Sequence, residues 1–250
     1  MIRLSRSGIT PPARWGAKVA TAIPQIFAHR AKLFEELPIN APERRSGFRS
    51  HSPEALPIIA GRHDFKPLWR TEKYVKTNIG AMSGSHCAYC QSPVGADQHG
   101  EVEHFKPKLL FPAAAYDWGN YFLSCQQCNN YKGDKWPAAG TYLRPDEGDP
   151  ASRLVFFEDG SVSGGPRDAD AKQTIESFGL DRSGLSYFRR QTIERSLHGA
   201  KNILAMVNLS REEKKLLFSD RLAPDLFPYS VAINQNLRRL WAEAFAGDEL

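Results

Sequence analysis

The stretch CQQCNNYKGDKWP, residues 125–137, places two cysteines three positions apart and follows them with two asparagines and three charged residues. A second pair, Cys87 and Cys90 in CAYC, lies upstream, with residues 91–124 between the pairs. Two thiolates at this spacing can hold one face of a zinc ion, and a second such pair completes a tetrahedron. The spacing therefore predicts a four-cysteine zinc site, against the alternative of two unrelated turns with free thiols.

Four thiolates would fill the coordination sphere of the zinc ion, so the metal would be structural and any chemistry must come from other residues. Neither pair opens a helix after a βαβ strand, which weakens a thioredoxin-like redox interpretation. His86 could replace one thiol, but with four thiols available we interpret it as a neighbour of the site. The stretch between the pairs is longer than in a plain zinc ribbon and must contain structure of its own.

The composition fits a folded chain with an uneven charge distribution. The 250 residues are 41% hydrophobic and 24% charged, which is enough to bury a sizeable core. Residues 1–76 hold 14 Lys and Arg against 6 Asp and Glu, a surplus of 8, and the overall net charge of +5 leaves −3 for the rest. A basic N-terminal third fits either a polyanionic partner or a solvated helical surface.

The sequence gives no sign of a membrane protein. No apolar run reaches membrane-spanning length, and the start, MIRLSRSGIT, lacks the apolar segment of a signal peptide. We therefore expect no membrane association and a cytoplasmic location. In that compartment four cysteines are better metal ligands than disulfide partners.

Helical periodicity dominates both ends of the chain. We predict a helix over residues 13–36 with a break or kink at Pro24, a loop over 38–57, and a second helix over 66–82 in which Trp69 is a core residue. Towards the C-terminus, RLVFFEDGSV, residues 153–162, predicts a hairpin around Asp-Gly. Further helices are predicted at 169–179, at 183–206, after a capping box in SREE at 210–213, and over 229–246.

The middle of the chain contains two short strand-like pieces, EVEHF at residues 101–105 and NYFLS at 120–124. Glu103 and His104 are adjacent in the first piece. Successive residues of a strand point to opposite faces, so both can face one site only where the strand ends or bends. Pro107 is consistent with such an end.

This arrangement resembles the HNH endonuclease family and its ββα-metal motif. The order E-H-x-x-P, then G-N-x-x-x-x-C-x-x-C-N-x-x-K, is matched by Glu103, His104, Pro107, Asn120, Cys125, Cys128, Asn129 and Lys132. Glu103 stands where many members have Asp. The resemblance implies an α+β fold, with a central zinc-stabilised ββα-metal module at residues 83–140. A basic helical region, 1–82, would precede this module, and a hairpin and helical region, 141–250, would follow it.

The resemblance also implies a chemistry, the hydrolysis of phosphodiester bonds. His104 would be the general base, and a catalytic Mg²⁺ or Mn²⁺ would take oxygen ligands from Glu103 and Asn129. Asn120 would be a framework residue that braces the loop between the strands and holds the His104 ring. Asn130 is a rival for the ligand position, but the register with Lys132 favours Asn129.

The lysines near the motif are candidate phosphate contacts. Lys132 matches a motif position and is expected near the phosphate, where it would hold the nucleic acid by charge. Lys106, Lys108 and Lys135 could act in the same way or be solvated surface residues. His99 lies in a predicted loop, GADQHGE, and is interpreted as a turn residue.

The resemblance extends beyond the motif over about residues 65–195, to the HNH proteins of Septu and retron-associated anti-phage systems. In that subgroup the HNH chain acts with an ATPase partner of the ABC or SMC-like class. The resemblance implies DNA as the substrate and such an ATPase as a partner. Cleavage of RNA, including tRNA, remains an alternative, as does a non-catalytic nucleic-acid-binding or scaffold module.

Overall fold

The computed structural model describes most of the chain, with the backbone alone described for residues 30–36. The described residues are 1, 3–36, 65–72, 74–95, 99–225 and 227–248. The predicted loop at 38–57 lies outside them. Among the helices of these described ranges, none combines the length and apolar character needed to cross a membrane.

The first helix, α1, spans Trp15–Glu36 and includes Pro24 within it. Among its side chains at residues 15–29, those of Trp15, Ala22 and Ile26 are buried, and their spacing places them on one face of a helix. The predicted helix is therefore confirmed, but it is not broken at Pro24, and α1 contributes one apolar face to the core.

The next helical stretch is interrupted, so the prediction of a single helix over residues 66–82 was wrong. The structure has α2 at Leu68–Thr71 and α3 at Val75–Ala81, and Glu72 between them is extended, with φ −83° and ψ 110°. In a continuous helix Trp69 would point roughly 120° away from Val75. The interruption allows both side chains to be buried, which confirms Trp69 as a core residue.

The centre of the chain is a ββα unit. Strand β1, Gly100–His104, pairs antiparallel with β2, Tyr121–Cys125, in a register that sets His104 opposite Tyr121. Helix α4, Gln126–Lys132, follows β2 without a loop, because Cys125 is both the end of the strand and the N-cap of the helix. Both predicted strands are present within one residue of the expected bounds.

The C-terminal part begins with the predicted hairpin, in which β3, Leu154–Phe156, pairs antiparallel with β4, Val162–Gly164. Four helices follow: α5 at Ala169–Phe178, α6 at Ser183–Ala205, α7 at Arg211–Ser219 and α8 at Ser230–Ala244. The predicted capping box is present, since Ser210 and Glu213 exchange side-chain and backbone hydrogen bonds at the start of α7.

The buried apolar side chains from the N-terminal, central and C-terminal parts form one connected core. The N-terminal segment is also fixed to the centre by hydrogen bonds. Arg6 pairs with Asp146 and donates to the carbonyl oxygens of Gly119 and Tyr121, both at 2.9 Å. The α+β fold class is confirmed. The division at residues 82/83 and 140/141 stays a prediction.

Candidate active site and metal centre

The four cysteines converge on one buried point. The sulfur atoms of Cys87, Cys90, Cys125 and Cys128 all lie within 4.8 Å of one another. A tetrahedral zinc ion with Zn–S bonds of about 2.3 Å would hold its sulfurs about 3.8 Å apart. The Sγ atoms of Cys90 and Cys125 are 3.8 Å apart, so the donor set fits structural zinc.

Local backbone geometry produces this convergence. The turn that carries the first pair is tied to β2 by the Ala88 amide, which donates to the Leu123 carbonyl at 2.8 Å. The second pair spans the junction between β2 and α4, where the Cys128 amide donates to the Cys125 sulfur at 3.5 Å. His86 is outside the metal-binding group found among the described residues, as expected for a neighbour of the site.

A residue of the C-terminal part also reaches the metal centre. The guanidinium of Arg182 donates to the Cys128 sulfur at 3.6 Å. Hydrogen bonds and positive charge near a metal ligand stabilise its charged form. The four-cysteine centre is therefore linked to the segment that precedes α6.

A cleft of about 1200 Å³ lies beside the four-cysteine centre. Its lining comes from the ββα unit and from the two short helices α2 and α3 with the residue between them. The lining residues from the ββα unit include Glu101, Glu103, His104, Asn129, Asn130 and Lys132, and those from the helical segment include Trp69, Arg70, Glu72 and Lys76. The structure thus brings four of the five expected catalytic residues to one cavity.

His104 lies at the last position of β1, and its ring is held from several sides. The Nε2 atom is 3.0 Å from the carbonyl oxygen of Ala115. Because a carbonyl only accepts, Nε2 carries the hydrogen, and Nδ1 keeps its lone pair. The rings of Trp69 and Tyr121 pack against the His104 ring in T-shaped contacts, with centroid distances of 4.6 Å and 5.0 Å.

The surroundings of His104 favour the neutral imidazole. Burial lowers its pKa well below the ordinary value, and the positive charge of Lys108 lowers it further. Lys132 and Arg70 act in the same direction, whereas the hydrogen bond to the Ala115 carbonyl raises the pKa. A ring that is neutral at pH 7 can accept a proton.

Asn120 does not line the cleft but lies behind it, in the turn that leads into β2. Its Oδ1 accepts from the Lys106 amide at 2.7 Å, and its Nδ2 donates to the carbonyls of Lys106 and Ala114, both at 3.0 Å. The side chain therefore spans the two ends of the loop that follows β1. Ala114 precedes Ala115, whose carbonyl receives the His104 hydrogen bond.

Glu103 and Lys132 form a buried ion pair, with 3% and 1% of their surfaces exposed. The Lys132 ammonium also donates to the His104 carbonyl at 2.8 Å. Burial raises the pKa of Glu103 to about 7, and the charge of Lys132 opposes this rise. The Glu103 oxygen nearest Lys132 lacks a hydrogen bond of regular geometry among the described residues.

The expectation that Lys132 contacts the phosphate does not fit this position. A long cation that is almost completely buried and already bonded to Glu103 and the His104 carbonyl has little surface left for a nucleic acid. Its contact with two neighbouring residues of β1 instead ties α4 to the end of that strand. The sequence pattern identified the residue but not its burial.

Asn129 makes a contact that the sequence analysis missed. Its Nδ2 donates to the carboxylate of Glu101, which lies two residues before Glu103 on β1. That spacing places both acids on the same face of the strand, which was the signal available in the sequence. Asn130 is exposed and also lines the cleft.

The remaining candidate residues differ in their relation to the cleft. Lys108 lines it, with its ammonium 5.6 Å from the centre of the Trp69 ring. Lys106 lies over the Phe111 ring at 5.6 Å. Lys135 and His99 are exposed and lie outside the residues that line the cleft.

The ββα unit and its four-cysteine centre agree with a comparison against known families. Residues 87–135 match the family model of the HNH endonucleases. This part of the chain is therefore an HNH endonuclease domain.

Among individual proteins, the chain is 26% identical over 144 residues to the Septu protein PtuB of Bacillus thuringiensis, covering 54% of this chain and 55% of the relative. It is 27% identical over 145 residues to the Septu protein PtuB of Bacillus mycoides (strain KBAB4), covering 46% and 49%. The chain thus spans about half the length of the curated relatives it matches. No solved structure matches it significantly.

Proposed function

We propose that the chain is a metal-dependent HNH endonuclease that cuts DNA as the nuclease of an anti-phage defence system. The observation that carries the proposal is that Glu103, His104 and Asn129 line one cleft beside the four-cysteine centre. The matched family segment and the similarity to Septu proteins support the same activity and the same biological setting.

His104 acts as the general base in this proposal. The hydrogen bond from Nε2 to Ala115 leaves Nδ1 as the proton acceptor, and the low pKa keeps the ring neutral near pH 7. It removes the proton from the water that attacks the phosphate. Asn120 keeps the loop of Ala115 in place and so fixes the direction of the ring.

The donor set of the cleft fits a hard divalent cation. Glu103 offers carboxylate oxygens and Asn129 an amide oxygen, which are the ligand types that Mg²⁺ and Mn²⁺ prefer. Such an ion neutralises charge on the phosphate and the leaving oxygen. The ion pair with Lys132 limits the positions that the Glu103 carboxylate can adopt.

The positive charge of the cleft supports a polyanionic substrate. Arg70 and Lys76 line the cleft and are solvent-exposed, and the charge of Arg70 lowers the pKa of His104. Phosphate oxygens accept hydrogen bonds from such side chains without regard to sequence. In this proposal a nucleic-acid strand lies in the cleft that the ββα unit and the helices α2 and α3 line together.

A plasmid-nicking assay with Mg²⁺ or Mn²⁺ tests the activity. We expect the wild-type protein to nick the plasmid and His104→Ala to lose about 100- to 10,000-fold in rate, because that is the usual contribution of a general base. His198→Ala is the matched control, since His198 is an exposed histidine on α6. Equal rates for wild type and His104→Ala would remove His104 from its role.

Side-by-side digestion of labelled DNA and RNA tests the substrate class. We expect DNA to be cut with 5′-phosphate products. Cutting of RNA alone would contradict the choice of DNA and leave the phosphodiesterase chemistry intact.

The partner in this proposal is an ATPase of the ABC or SMC-like class, and a gene for such an ATPase beside the gene for this chain would support it. Nicking is therefore measured with and without that ATPase and ATP. We expect the partner to increase the rate. A rate that is unchanged by a partner that binds the chain would contradict a licensing role for the ATPase.

A further inference from the structure

The carboxylate of Glu101 lies at the edge of the proposed cation site but is absent from the motif. Glu101 is half-buried on β1 and accepts a hydrogen bond from Nδ2 of Asn129 on α4. Glu101 and Glu103 share one face of the strand, since they pair with Ser124 and Phe122 in a regular register. The two acids therefore meet the same side of α4.

An ionised carboxylate only accepts hydrogen bonds, whereas a carboxamide has a donor end and an acceptor end. Glu101 therefore selects one of the two orientations of the Asn129 amide, with the NH₂ group facing β1. In the reversed orientation two acceptor oxygens would face each other, which is unfavourable. Within the described residues the other end of the amide, Oδ1, makes no hydrogen bond and is left for a ligand.

Only the oxygen of Asn129 can bind a hard cation, so the orientation of the amide decides whether the residue is a ligand. We infer that Glu101 is a positioning residue, which holds the Asn129 amide with its oxygen towards the cation shared with Glu103. The inference rests on the proposed function, because it concerns the cation site of that same cleft. Residues that orient a metal ligand typically contribute about 10- to 100-fold to metal affinity.

Direct binding of Mn²⁺ to the full-length, zinc-loaded protein tests the inference, with electron paramagnetic resonance as the readout. We expect Glu101→Ala to weaken Mn²⁺ binding by about 10- to 100-fold, with zinc content and thermal stability unchanged. Glu101→Gln can present either end of its amide to Asn129, so its affinity should be intermediate. Asp134→Asn is the matched control, because Asp134 lines the same cleft without a hydrogen bond to Asn129.

Measurements in the Asn129→Asp background distinguish two roles of Glu101. One is to orient the Asn129 amide, and the other is to attract the cation by its negative charge. A carboxylate at this position has two equivalent oxygens and needs no orientation, and it is repelled by Glu101. In that background Glu101→Ala should therefore leave Mn²⁺ affinity unchanged or increase it. A similar loss of affinity in both backgrounds, or an equal loss in Asp134→Asn, would overturn the inference.

The two proposals fail in distinguishable ways. Mn²⁺ binding is measured without substrate, whereas nicking of DNA or RNA reports the proposed function. A wild-type protein that binds Mn²⁺ but cuts no nucleic acid would contradict the function alone. Normal nicking together with unchanged Mn²⁺ affinity in Glu101→Ala and Glu101→Gln would contradict the role of Glu101 alone.

Discussion

Lys132 shows how burial changes the meaning of a motif residue. A lysine after C-N-x-x is easily interpreted as a phosphate contact, because most lysines keep their charge in water. In the structure its ammonium pairs with Glu103 and bonds to the His104 carbonyl, with 1% of the residue exposed. The ion pair of Lys132 and Glu103 therefore fixes the end of β1, where both Glu103 and His104 must face the cleft.

Replacing Lys132 should destabilise the fold. In Lys132→Met the carboxylate of Glu103 loses its buried counter-charge, which costs about 3–5 kcal/mol when a buried ion pair is broken from one side. We expect a lower free energy of unfolding in urea, measured at pH 8 by circular dichroism. Lys135→Met is the control, since Lys135 is exposed.

The Glu103→Gln/Lys132→Met double variant checks that the cost comes from the unpaired acid. It should recover part of the stability lost in Lys132→Met, because no buried charge remains. If the destabilisation by Glu103→Gln alone simply added to that of Lys132→Met, the double variant would be less stable than Lys132→Met. That result would contradict this explanation.

At the scale of elements, packing determines which residue type is tolerated where the chain turns close to another element. The hairpin of β3 and β4 turns at Gly160, which has φ +81°. A Cβ added there would lie 2.0 Å from the Ser186 carbonyl oxygen on α6. The Asp-Gly pair predicted a turn, but the close contact with α6 also demands glycine.

Gly160→Ala should therefore destabilise the protein by more than its backbone conformation alone requires. Gly148→Ala is the matched control, since Gly148 also has positive φ, at +62°, but nothing lies within 4 Å of its added Cβ. We expect the control to cost about 1–2 kcal/mol, the usual strain of a left-handed non-glycine residue. Gly160→Ala should cost more in the same urea unfolding experiment, and equal costs would mean that α6 moves away freely.

At the scale of the whole molecule, segments outside the HNH domain complete the cleft. The helices α2 and α3 supply part of its lining, and Arg6 of the N-terminal segment donates to the carbonyl oxygens of Gly119 and Tyr121 at the start of β2. Two exposed cations of these helices, Arg70 and Lys76, line the same cleft as the HNH residues. This arrangement predicts that nucleic-acid affinity depends on residues far from the motif in sequence.

The double variant Arg70→Gln/Lys76→Gln should bind DNA more weakly than the parent protein. Each lost phosphate contact lowers the slope of log affinity against log salt by about 1, so the slope should fall by about 2. Fluorescence anisotropy in the His104→Ala background measures binding without cutting. Lys201→Gln/Arg238→Gln removes the same charge from exposed positions on α6 and α8, and an equal loss there would attribute the effect to net charge.

Removing the structural metal should unfold the central unit rather than only inactivate it. Structural zinc contributes on the order of 10 kcal/mol to the folding of small zinc modules. We expect Cys125→Ser to lose zinc and to melt at a lower temperature than the wild-type protein, with zinc measured by a colorimetric chelator. Full stability and full zinc content in Cys125→Ser would refute the metal centre.

The sequence by itself determined the parts of the protein that depend on local spacing. These are the two cysteine pairs, the strands around Glu103 and Asn120, the capping box at Ser210, and the helices of the C-terminal part. Their periods and spacings are properties of neighbouring residues, so they can be read along the chain.

Only the tertiary structure decided which side chains meet. It interrupted the helix after Thr71, buried Lys132 against Glu103, joined Glu101 to Asn129, and placed Arg70 in the same cleft as His104. Each of these results depends on contacts between residues distant in sequence or on the direction of a side chain within its element. Burial and partner choice are set by the packing of the whole chain, and the spacing of residues in a motif does not contain that information.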